Sequence, residues 1–455
     1  MNILMMTNTY KPLLGGLEKS VEAFTMEYRK RGHRVIIVAP EFENMEKEED
    51  VIRIPAMQNF QGSDFSVQLP VPGVLADALG DFRADIVHAH HPFLVGDTAL
   101  RLAYKYNSPL IFTHHTLFEQ NMHYLPGNSE GMKQFILELS TGFANLADQV
   151  FAPSESVRRL LRQRRETTPI EAAPTGIDVK TFLEGNGKKF REDKKIPASA
   201  FVVGNVGRLA PEKNLEFVAR SVARFLKQNS GAYFLVGGKG VSEEVLKSIF
   251  ETEGVFDRLC MAGVLTGQEL VDAYHAMDVF AFASQSETQG IVLTEAMAAR
   301  VPIVGVDAPG VRDVVNDGAN GFLLKNENEE DFAAALEEMA GLGKEKITQI
   351  KNACLETAKV YSMENCAEHA LRIYLSLILK DFVRRQSEDS PWAQTARLIK
   401  AQWDLTKNLT KATAGALLTK EPETKKKSES VKEGYFDNPM ARKRTHAGRS
   451  GGNYS

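Results

Sequence analysis

Cysteine and tryptophan are scarce in this chain of 455 residues, which contains three of the former and two of the latter. The cysteines, Cys260, Cys354 and Cys366, lie far apart and lack the close spacing of zinc ligands. We therefore expect reduced thiols in a cytosolic protein. No run approaches the roughly 20 apolar residues that span a bilayer. The short apolar N-terminus lacks a basic region and a cleavage site, so it predicts a first strand and not a signal peptide.

The charge balance argues against one class of partner. Lysine and arginine number 55 against 59 aspartate and glutamate residues, which gives a net charge of −4. Such a balance gives no indication of nucleic-acid binding. Hydrophobic residues make up 43% of the chain, as in an ordinary globular protein. A chain of this length should divide into two or three domains.

Short apolar runs alternate with helical patterns over most of the chain, as in sheets of buried parallel strands. This repetition predicts an α/β fold with two Rossmann-like doubly wound domains, at residues 1–178 and 179–360. The predicted strands are Ile3–Thr7, Arg34–Ala39, Asp85–Ala89, Leu110–Thr113 and Gln149–Ala152, then Phe201–Val206, Tyr233–Val236, Arg258–Met261, Val279–Phe282, Pro302–Gly305 and Gly321–Leu324.

Two glutamates, Glu287 and Glu295, are the most informative residues of the chain. A predicted strand precedes them, Gly290 lies between them, and an Ala/Met-rich segment of strong helix formers follows. This order predicts a loop that carries Glu287 and a helix that carries Glu295, so the carboxylates would reach different parts of one extended ligand. The exposed N–H groups of the new helix suit a phosphate. The alternative is that both acids only complement the helix dipole.

Two glycines follow the first strand of the first half, and two cations follow the first strand of the second half. Gly15-Gly16 after the first strand lets backbone approach a phosphate or sugar, although a plain turn is the alternative. It is not the Gly-x-Gly-x-x-Gly pattern, which disfavours dinucleotide binding. Arg208 and Lys213 follow the first strand of the second half and carry the charges that a leaving diphosphate needs. The alternative for them is a solvated loop.

Histidines concentrate in the first half. His88, His90 and His91 follow one predicted strand, and His114 and His115 follow the next. Clusters at strand ends favour a binding site. A zinc site is disfavoured, because this half has no cysteine and no His-Glu-x-x-His helix.

These residues resemble the motifs of the retaining glycosyltransferases of family 4, which have the two-domain GT-B architecture. The resemblance covers about residues 1–380 and rests on Gly15-Gly16, the Gly-Arg…Glu-Lys segment at 207–213 and the Glu-x7-Glu pair. The segment Asp307–Asp313 is similar to the family's loop after the next strand. The loop at 209–213 is shorter than in some relatives, which bears on the contact of Lys213.

The resemblance implies a nucleotide-sugar-dependent hexosyltransferase whose domains face a central cleft. Arg208 and Lys213 would bind the donor diphosphate. Glu287 would hold the donor sugar near its 3- and 4-hydroxyls, and Glu295 would accept hydrogen bonds from the ribose. His115 matches a sugar-contacting histidine. The implied donor side is completed by Gly15, Gly16 and the segment Gly290, Ile291, Val292 and Leu293.

The resemblance also implies front-side attack with retention, without a protein nucleophile. The chain has no Asp-x-Asp motif, which agrees with helix dipoles and side-chain cations replacing a bound metal. We expect no metal site and no obligatory cofactor, with Mg²⁺ only as a non-essential addition.

The acceptor side is similar to diacylglycerol glucosyltransferases in the segments 88–96 and 113–126, which contain the five histidines above. This similarity implies transfer of glucose from UDP-glucose to a membrane lipid. His123 and Tyr124 join His88, His90, His91 and His114 as acceptor-side candidates. The segment Gly131–Leu146 has apolar residues at helical spacing, which fits either a core helix or a membrane-surface helix.

The C-terminal region has a different composition. Residues 361–385 are expected to form the helix that returns to the first domain. Residues 386–455 carry 13 Lys and Arg against eight Asp and Glu. Within them, residues 390–411 predict an amphipathic helix with Trp392 and Trp403 on one stripe, followed by a basic disordered tail. This region predicts attachment to anionic lipids on the inner face of the cell membrane. The alternatives are a helix that docks on the protein through its Trp face, a helix that binds a partner and, for the basic tail, a solvated extension.

Three function classes follow from the sequence. The first is a lipid glycosyltransferase, and the second is the same chemistry on a soluble sugar or a cell-surface polysaccharide intermediate. The third is a binding protein on a degenerate transferase fold, which is disfavoured because both glutamates, both cations and both glycines are present.

Overall fold

A computed structural model describes residues 1–13, 15–42, 48–57, 67–68, 72–117, 129–164, 167–385 and 391–418. The predicted acceptor-side residues His123 and Tyr124 and the basic tail lie outside these ranges.

The first half forms a seven-stranded parallel sheet in the order β3-β2-β1-β6-β7-β8-β9, beside a small antiparallel pair, β4 and β5. Because β1 is central, its side chains are buried on both faces: Leu4 and Met6 join one core and Ile3 and Met5 the other. The strands are β1 (Asn2–Met6), β2 (Arg34–Pro40), β3 (Val51–Ile54), β4 (Ala56–Met57), β5 (Val67–Gln68), β6 (Ile86–Ala89), β7 (Leu110–Thr113), β8 (Gln149–Ala152) and β9 (Ile170–Ala172).

Helices cover both faces of this sheet. Several begin at a side-chain cap; the hydroxyl of Ser129, for example, accepts a hydrogen bond from the Met132 amide. The helices are α1 (Gly16–Lys30), α2 (Pro72–Leu79), α3 (Val95–Tyr106), α4 (Glu130–Ala144) and α5 (Glu155–Gln163), followed by the short α6 (Val179–Leu183) and α7 (Gly187–Asp193).

The second half forms a six-stranded parallel sheet in the order β12-β11-β10-β13-β14-β15. Its strands are β10 (Phe201–Val206), β11 (Ala232–Gly237), β12 (Leu259–Gly263), β13 (Val279–Phe282), β14 (Ile303–Val306) and β15 (Gly321–Leu324). Its helices are α8 (Leu215–Gln228), α9 (Glu243–Thr252), α10 (Gly267–His275), α11 (Ile291–Ala298), α12 (Glu329–Gly341) and α13 (Lys344–Val360), with 3₁₀ turns at Pro211–Lys213 and Phe256–Arg258. Two doubly wound sheets are the fold that the sequence predicts.

The next helix, α14 (Met363–Arg385), packs against α1 of the first half. Tyr374 and Ala367 of α14 are buried in the same core as Ile3 and Met5 of β1. Helix α14, which lies within residues 361–385, thus contacts the first half.

The last helix of the described residues, α15 (Pro391–Leu418), packs on α4 and α3. The face that contacts the protein carries the buried Ala401, Leu405 and Ala412. Asn408 donates a hydrogen bond to the Leu139 carbonyl at 3.1 Å. The contact uses a different face from the predicted tryptophan stripe, so the alternative of docking through that stripe is wrong for Trp403, which is 68% exposed.

The structure also contains strands that the sequence analysis missed. β3 and β9 lie at the two edges of the first sheet. The edge strand β9 has only three residues, of which Ile170 is buried. Such a segment lacks the apolar run that identifies a central strand, so its pairing depends on the neighbouring β8.

Candidate active site

The loop after β13 and the start of α11 carry the two glutamates. Gly290 is the N-cap of α11 and has a φ of 75°, a conformation that suits glycine. Glu287 lies on the loop, and Glu295 lies in the second turn of the helix. The two carboxylates have different partners, because one lies before the helix and the other within it.

Glu295 is buried and accepts two hydrogen bonds. Lys19 of α1 donates to its Oε1 at 3.0 Å, and the Tyr274 hydroxyl donates to its Oε2 at 2.9 Å. Burial, together with this neighbouring carboxylate, raises the pKa of Tyr274 well above its usual range. Tyr274 therefore stays protonated and acts as a donor to Glu295. A buried carboxylate needs such partners to offset its lost hydration.

The two predicted cations lie beside β10 and its following turn. Lys213 at the end of the turn forms an ion pair with Glu287. Arg208 forms an ion pair with Glu212 at 2.6 Å, and its side chain is more exposed than that of Lys213. The structure thus joins Lys213 to the predicted glutamate loop, whereas Arg208 lies just before the turn and pairs with a glutamate inside it.

The N-terminus of α1 faces the N-terminus of α11. A Cβ atom added to Gly16 would lie 4.0 Å from the side chain of Ile291. Each helix start carries a partial positive charge and first-turn amides that have no intrahelical acceptor. Two such ends therefore meet at one place in the cleft, which is a favourable environment for a diphosphate.

One predicted backbone contact needs correction. The Leu293 amide donates to the Gly290 carbonyl at 2.9 Å, and the Leu293 side chain is buried in the core. This amide is already used in the first turn of α11. The predicted donor segment is thus reduced to Gly290, Ile291 and Val292.

Gln289 holds the glutamate loop against the junction between the two halves. Its side-chain amide donates to the Thr175 carbonyl at 2.6 Å and accepts from the Thr175 amide at 2.7 Å. The Thr175 hydroxyl in turn donates to Ser20 of α1 at 2.7 Å. All three residues are buried. Gly310 passes beneath this loop, where a Cβ atom would lie 3.0 Å from the Glu287 carbonyl.

The histidines at the ends of β6 and β7 form one array. His90 hydrogen-bonds His115 at 2.9 Å and stacks on His88 with ring centroids 4.2 Å apart. The Asn8 amide donates to Nδ1 of His91 at 3.1 Å. A neutral His91 that accepts at Nδ1 carries its proton at Nε2.

The array is uncharged. Burial lowers the pKa of His88, His91 and His114 to about 3. Burial and the neighbouring histidines hold the pKa of His90 and His115 well below the usual range. All five rings are therefore neutral near pH 7 and interact through hydrogen bonds and not through charge.

The interpretation of His88, His90 and His114 as acceptor contacts is corrected by their burial. His88 hydrogen-bonds Tyr374 of α14 at 2.5 Å and Thr113 at 2.6 Å, so both of its ring nitrogens have protein partners. His90 similarly contacts His115 and the Met5 sulfur. His114 is buried against Phe112. His115 is partly exposed and forms the outer end of the array.

Two sequence signatures match this arrangement. Residues 14–181 match the family described as Glycosyltransferase Family 4, and residues 186–354 match Glycosyl transferases group 1. The chain belongs to the group 1 glycosyltransferases of family 4. The matched ranges contain the glutamate pair and the cations Arg208 and Lys213.

Curated relatives of this glycosyltransferase are named for different sugar transfers. An alpha-monoglucosyldiacylglycerol synthase of Streptococcus pneumoniae is 27% identical over 390 residues, which cover 84% of this chain and 87% of that protein. A GDP-mannose-dependent alpha-mannosyltransferase of Corynebacterium glutamicum is 27% identical and covers 71% of this chain and 76% of its own.

The solved structures establish the fold of this glycosyltransferase. Sucrose-phosphate synthase from Thermosynechococcus elongatus superposes with a TM-score of 0.69 at 18% identity, covering 83% of this chain and 99% of its own. The two-domain GT-B architecture implied by the family resemblance is thereby confirmed.

A cavity of about 270 Å³ lies where α15 meets the loop after His91. Phe93 and Leu94 of that loop line one side, and Leu405 and Leu409 of α15 line the other.

The predicted helix at Gly131–Leu146 corresponds to α4, whose Phe143 is buried in the core and whose outer side packs against α15. The core interpretation of this segment therefore describes the structure.

The outer face of α15 points away from the protein and carries two large exposed apolar side chains among polar ones. Ile399 and Trp403 are 65% and 68% exposed, and Lys400, Lys407 and Lys411 are also exposed. Among the described residues, no helix is both long and apolar enough to cross a membrane. Within the same residues, no three His, Cys, Asp or Glu side chains come close enough to hold a metal ion.

Sequence analysis missed Lys19, Tyr274 and Gln289 as parts of the site. Gln289 lies between the two predicted glutamates, and its place in that loop was the available signal. Lys19 and Tyr274 carried no such signal, because they reach Glu295 from α1 and α10.

Proposed function

We propose that this glycosyltransferase moves glucose from UDP-glucose to a membrane lipid such as diacylglycerol, with retention of the anomeric configuration. The observation that carries the proposal is the convergence of Glu287, Glu295 and Lys213 on two facing helix N-termini. This set offers acceptors for sugar and ribose hydroxyls and positive potential for a diphosphate.

The donor would span the two glutamates. In this proposal Glu295 accepts hydrogen bonds from the ribose, and Glu287 holds the glucose hydroxyls. Lys213, which is paired with Glu287 in the structure, lies within reach of the sugar–diphosphate bond. As that bond breaks, Lys213, Arg208 and the first-turn amides of α11 stabilise the charge that develops on the diphosphate.

The attacking hydroxyl of the acceptor would approach the donor sugar on the same face from which the diphosphate leaves, so no protein nucleophile is required. His115, at the outer end of the histidine array, orients the sugar as a neutral hydrogen-bonding group. No obligatory cofactor is proposed, and Mg²⁺ is at most a non-essential addition. The cations and helix ends take the role that a metal has elsewhere.

A lipid acceptor is supported by the relatives and by α15. Ile399 and Trp403 form an exposed apolar stripe, flanked by exposed lysines. An aromatic and aliphatic face with lysines beside it is typical of a helix at the surface of an anionic membrane. In this proposal residues 390–411 and the basic tail hold the enzyme on the inner face of the cell membrane, next to its acceptor.

The cavity between α15 and the loop after His91 supports the same location for the acceptor. Its lining combines apolar side chains, among them Phe93, Leu405 and Leu409, with the charged Asp97 and Arg101, and it connects the loop after His91 to α15. A lipid that approached along α15 would thus meet the cleft from the first domain, opposite the donor.

A product assay tests the proposal. The full-length protein is incubated with UDP-glucose, UDP-galactose or GDP-mannose, with diacylglycerol in anionic vesicles or with soluble sugars as acceptors. We expect glucosylated diacylglycerol with UDP-glucose as the preferred donor, identified by mass spectrometry and by the NMR coupling of the anomeric proton. Transfer to soluble sugars alone would instead support the second function, action on a soluble sugar or polysaccharide intermediate.

A further inference from the structure

Lys19 contacts the ribose-binding candidate from the opposite domain. It lies at the end of the first turn of α1, and its Nζ is 3.0 Å from Oε1 of Glu295. The Lys19 side chain is 47% exposed, whereas that of Glu295 is 6% exposed. The ammonium therefore borders the open cleft and covers the carboxylate.

The two oxygens of Glu295 are engaged differently. Oε2 accepts from the buried Tyr274, within the domain of Glu295 itself. Oε1 accepts from Lys19 across the cleft. The Lys19 side is the more exposed of the two, so a ribose hydroxyl that approaches Glu295 competes with the lysine for Oε1.

The start of α1 is fixed beside the loop that precedes α11. The contacts from Ser20 to Thr175 and from Thr175 to Gln289 join α1 to the loop that precedes α11. A lysine displaced from Glu295 would therefore remain between the N-termini of α1 and α11. Its chain of four methylenes is long enough to change partners without moving the helix.

We propose that Lys19 is a donor-contacting residue that exchanges partners. Without nucleotide it neutralises Glu295; with a nucleoside diphosphate, the ribose takes Oε1 and the ammonium binds the diphosphate. This inference rests on the proposed function, because it requires a nucleoside diphosphate sugar as donor. Lys19 thus becomes a cation of the donor site supplied by the first domain, in addition to Arg208 and Lys213 of the second.

The proposed exchange predicts that replacing Lys19 affects the binding of UDP and of uridine differently. In a Lys19→Met variant, UDP loses one charge-assisted contact and should bind roughly 10- to 100-fold more weakly. Uridine lacks the diphosphate, and its ribose no longer competes with the ammonium. Uridine should therefore bind the variant as tightly as the wild type or more tightly.

Calorimetric titration of the full-length protein with UDP and uridine measures both effects, and GDP and guanosine provide a parallel pair. Lys19→Arg should retain most of the diphosphate affinity. Lys30→Met is the matched control, because Lys30 lies on the same helix and pairs with Glu27 away from the cleft. Melting temperatures establish that the variants are folded.

In the Lys19→Met variant, the buried Glu295 carboxylate keeps its charge but loses its lysine partner. The double variant Lys19→Met/Glu295→Gln removes that charge as well. Compared with Glu295→Gln alone, it should still show weaker binding of UDP. Equal loss of UDP and uridine affinity in Lys19→Met would overturn the proposal, because it indicates a purely structural role. Unchanged UDP affinity would overturn it too. A wild-type protein that binds neither UDP nor GDP would contradict the proposed donor class instead.

Discussion

Lys213 and Glu287 form an ion pair in the candidate active site, and this pair joins the 3₁₀ turn after β10 to the loop before α11. The cation expected to bind the leaving diphosphate and the carboxylate expected to hold the donor sugar thus neutralise each other. A donor that binds both must separate or share this pair. The pair keeps both side chains positioned at the place where the sugar–phosphate bond would lie.

Replacing the cations should slow catalysis while the fold survives. We expect Lys213→Ala and Arg208→Ala each to lower kcat by the equivalent of about 2.7–4 kcal/mol, the range for a lost contact to developing charge. Steady-state kinetics with saturating donor measures this effect. Arg220→Ala is the control, since Arg220 forms a surface pair with Glu216 on α8. Wild-type turnover in both cation variants, at an unchanged melting temperature, would remove them from the mechanism.

The two glutamates should differ in kinetic effect. Glu295 would bind the ribose equally in ground and transition states, so Glu295→Gln should mainly raise the donor KM. Glu287 lies beside Lys213 and nearer the reacting carbon, so Glu287→Gln should mainly lower kcat. Initial rates over a range of donor concentrations separate the two effects. If both variants raised KM equally and left kcat unchanged, this division of roles would be wrong.

The outer stripe of α15 should control membrane binding without affecting stability. The double variant Ile399→Ser/Trp403→Ser alters only exposed side chains, so its melting temperature should match that of the wild type. Its sedimentation with anionic vesicles and its activity on vesicle-embedded acceptor should fall, while binding of UDP is unchanged. Wild-type binding should also weaken with salt, because each lysine near an anionic surface contributes about 1 kcal/mol.

A buried position on the same helix supplies the contrast. Ala401 is fully buried on the face of α15 that contacts the protein. Ala401→Glu should therefore displace the helix from α4 and lower the melting temperature. If the exposed-stripe variant bound vesicles as well as the wild type at the same ionic strength, α15 would not be the membrane contact.

The buried histidines should make the protein sensitive to acid. The pKa of His88, His91 and His114 is about 3 in the folded protein, against about 6.5 for an unfolded histidine. Between these values the unfolded chain binds more protons, so stability falls as the pH decreases from about 6.5 towards 3. Each histidine contributes on the order of 1.4 kcal/mol per pH unit in this window.

Urea unfolding between pH 7.5 and 5 measures this dependence. His114→Gln should unfold more easily at pH 7.5, yet lose stability less steeply as the pH falls, since one buried titrating group is gone. An identical slope in the variant and the wild type would show that His114 is not held neutral by the fold.

Much of the fold could be predicted because its signals are local. The apolar runs that become β1, β10 and β13 are buried on both faces, and such runs are visible without knowing their neighbours. The position of Gly290 between Glu287 and Glu295 likewise predicted where the loop ends and α11 begins. The short edge strand β9 could not be predicted, because its conformation depends on pairing with β8.

The sequence by itself determined two doubly wound domains, the glutamate pair at a strand-to-helix junction and an amphipathic C-terminal helix. Only the tertiary structure decided that Lys19 pairs with Glu295, a residue 276 positions away. It also decided which face of α15 packs on α4 and which face, with Trp403, remains exposed. The physical reason is that periodicity identifies the faces of an element, whereas the partner of each face depends on how distant elements pack together.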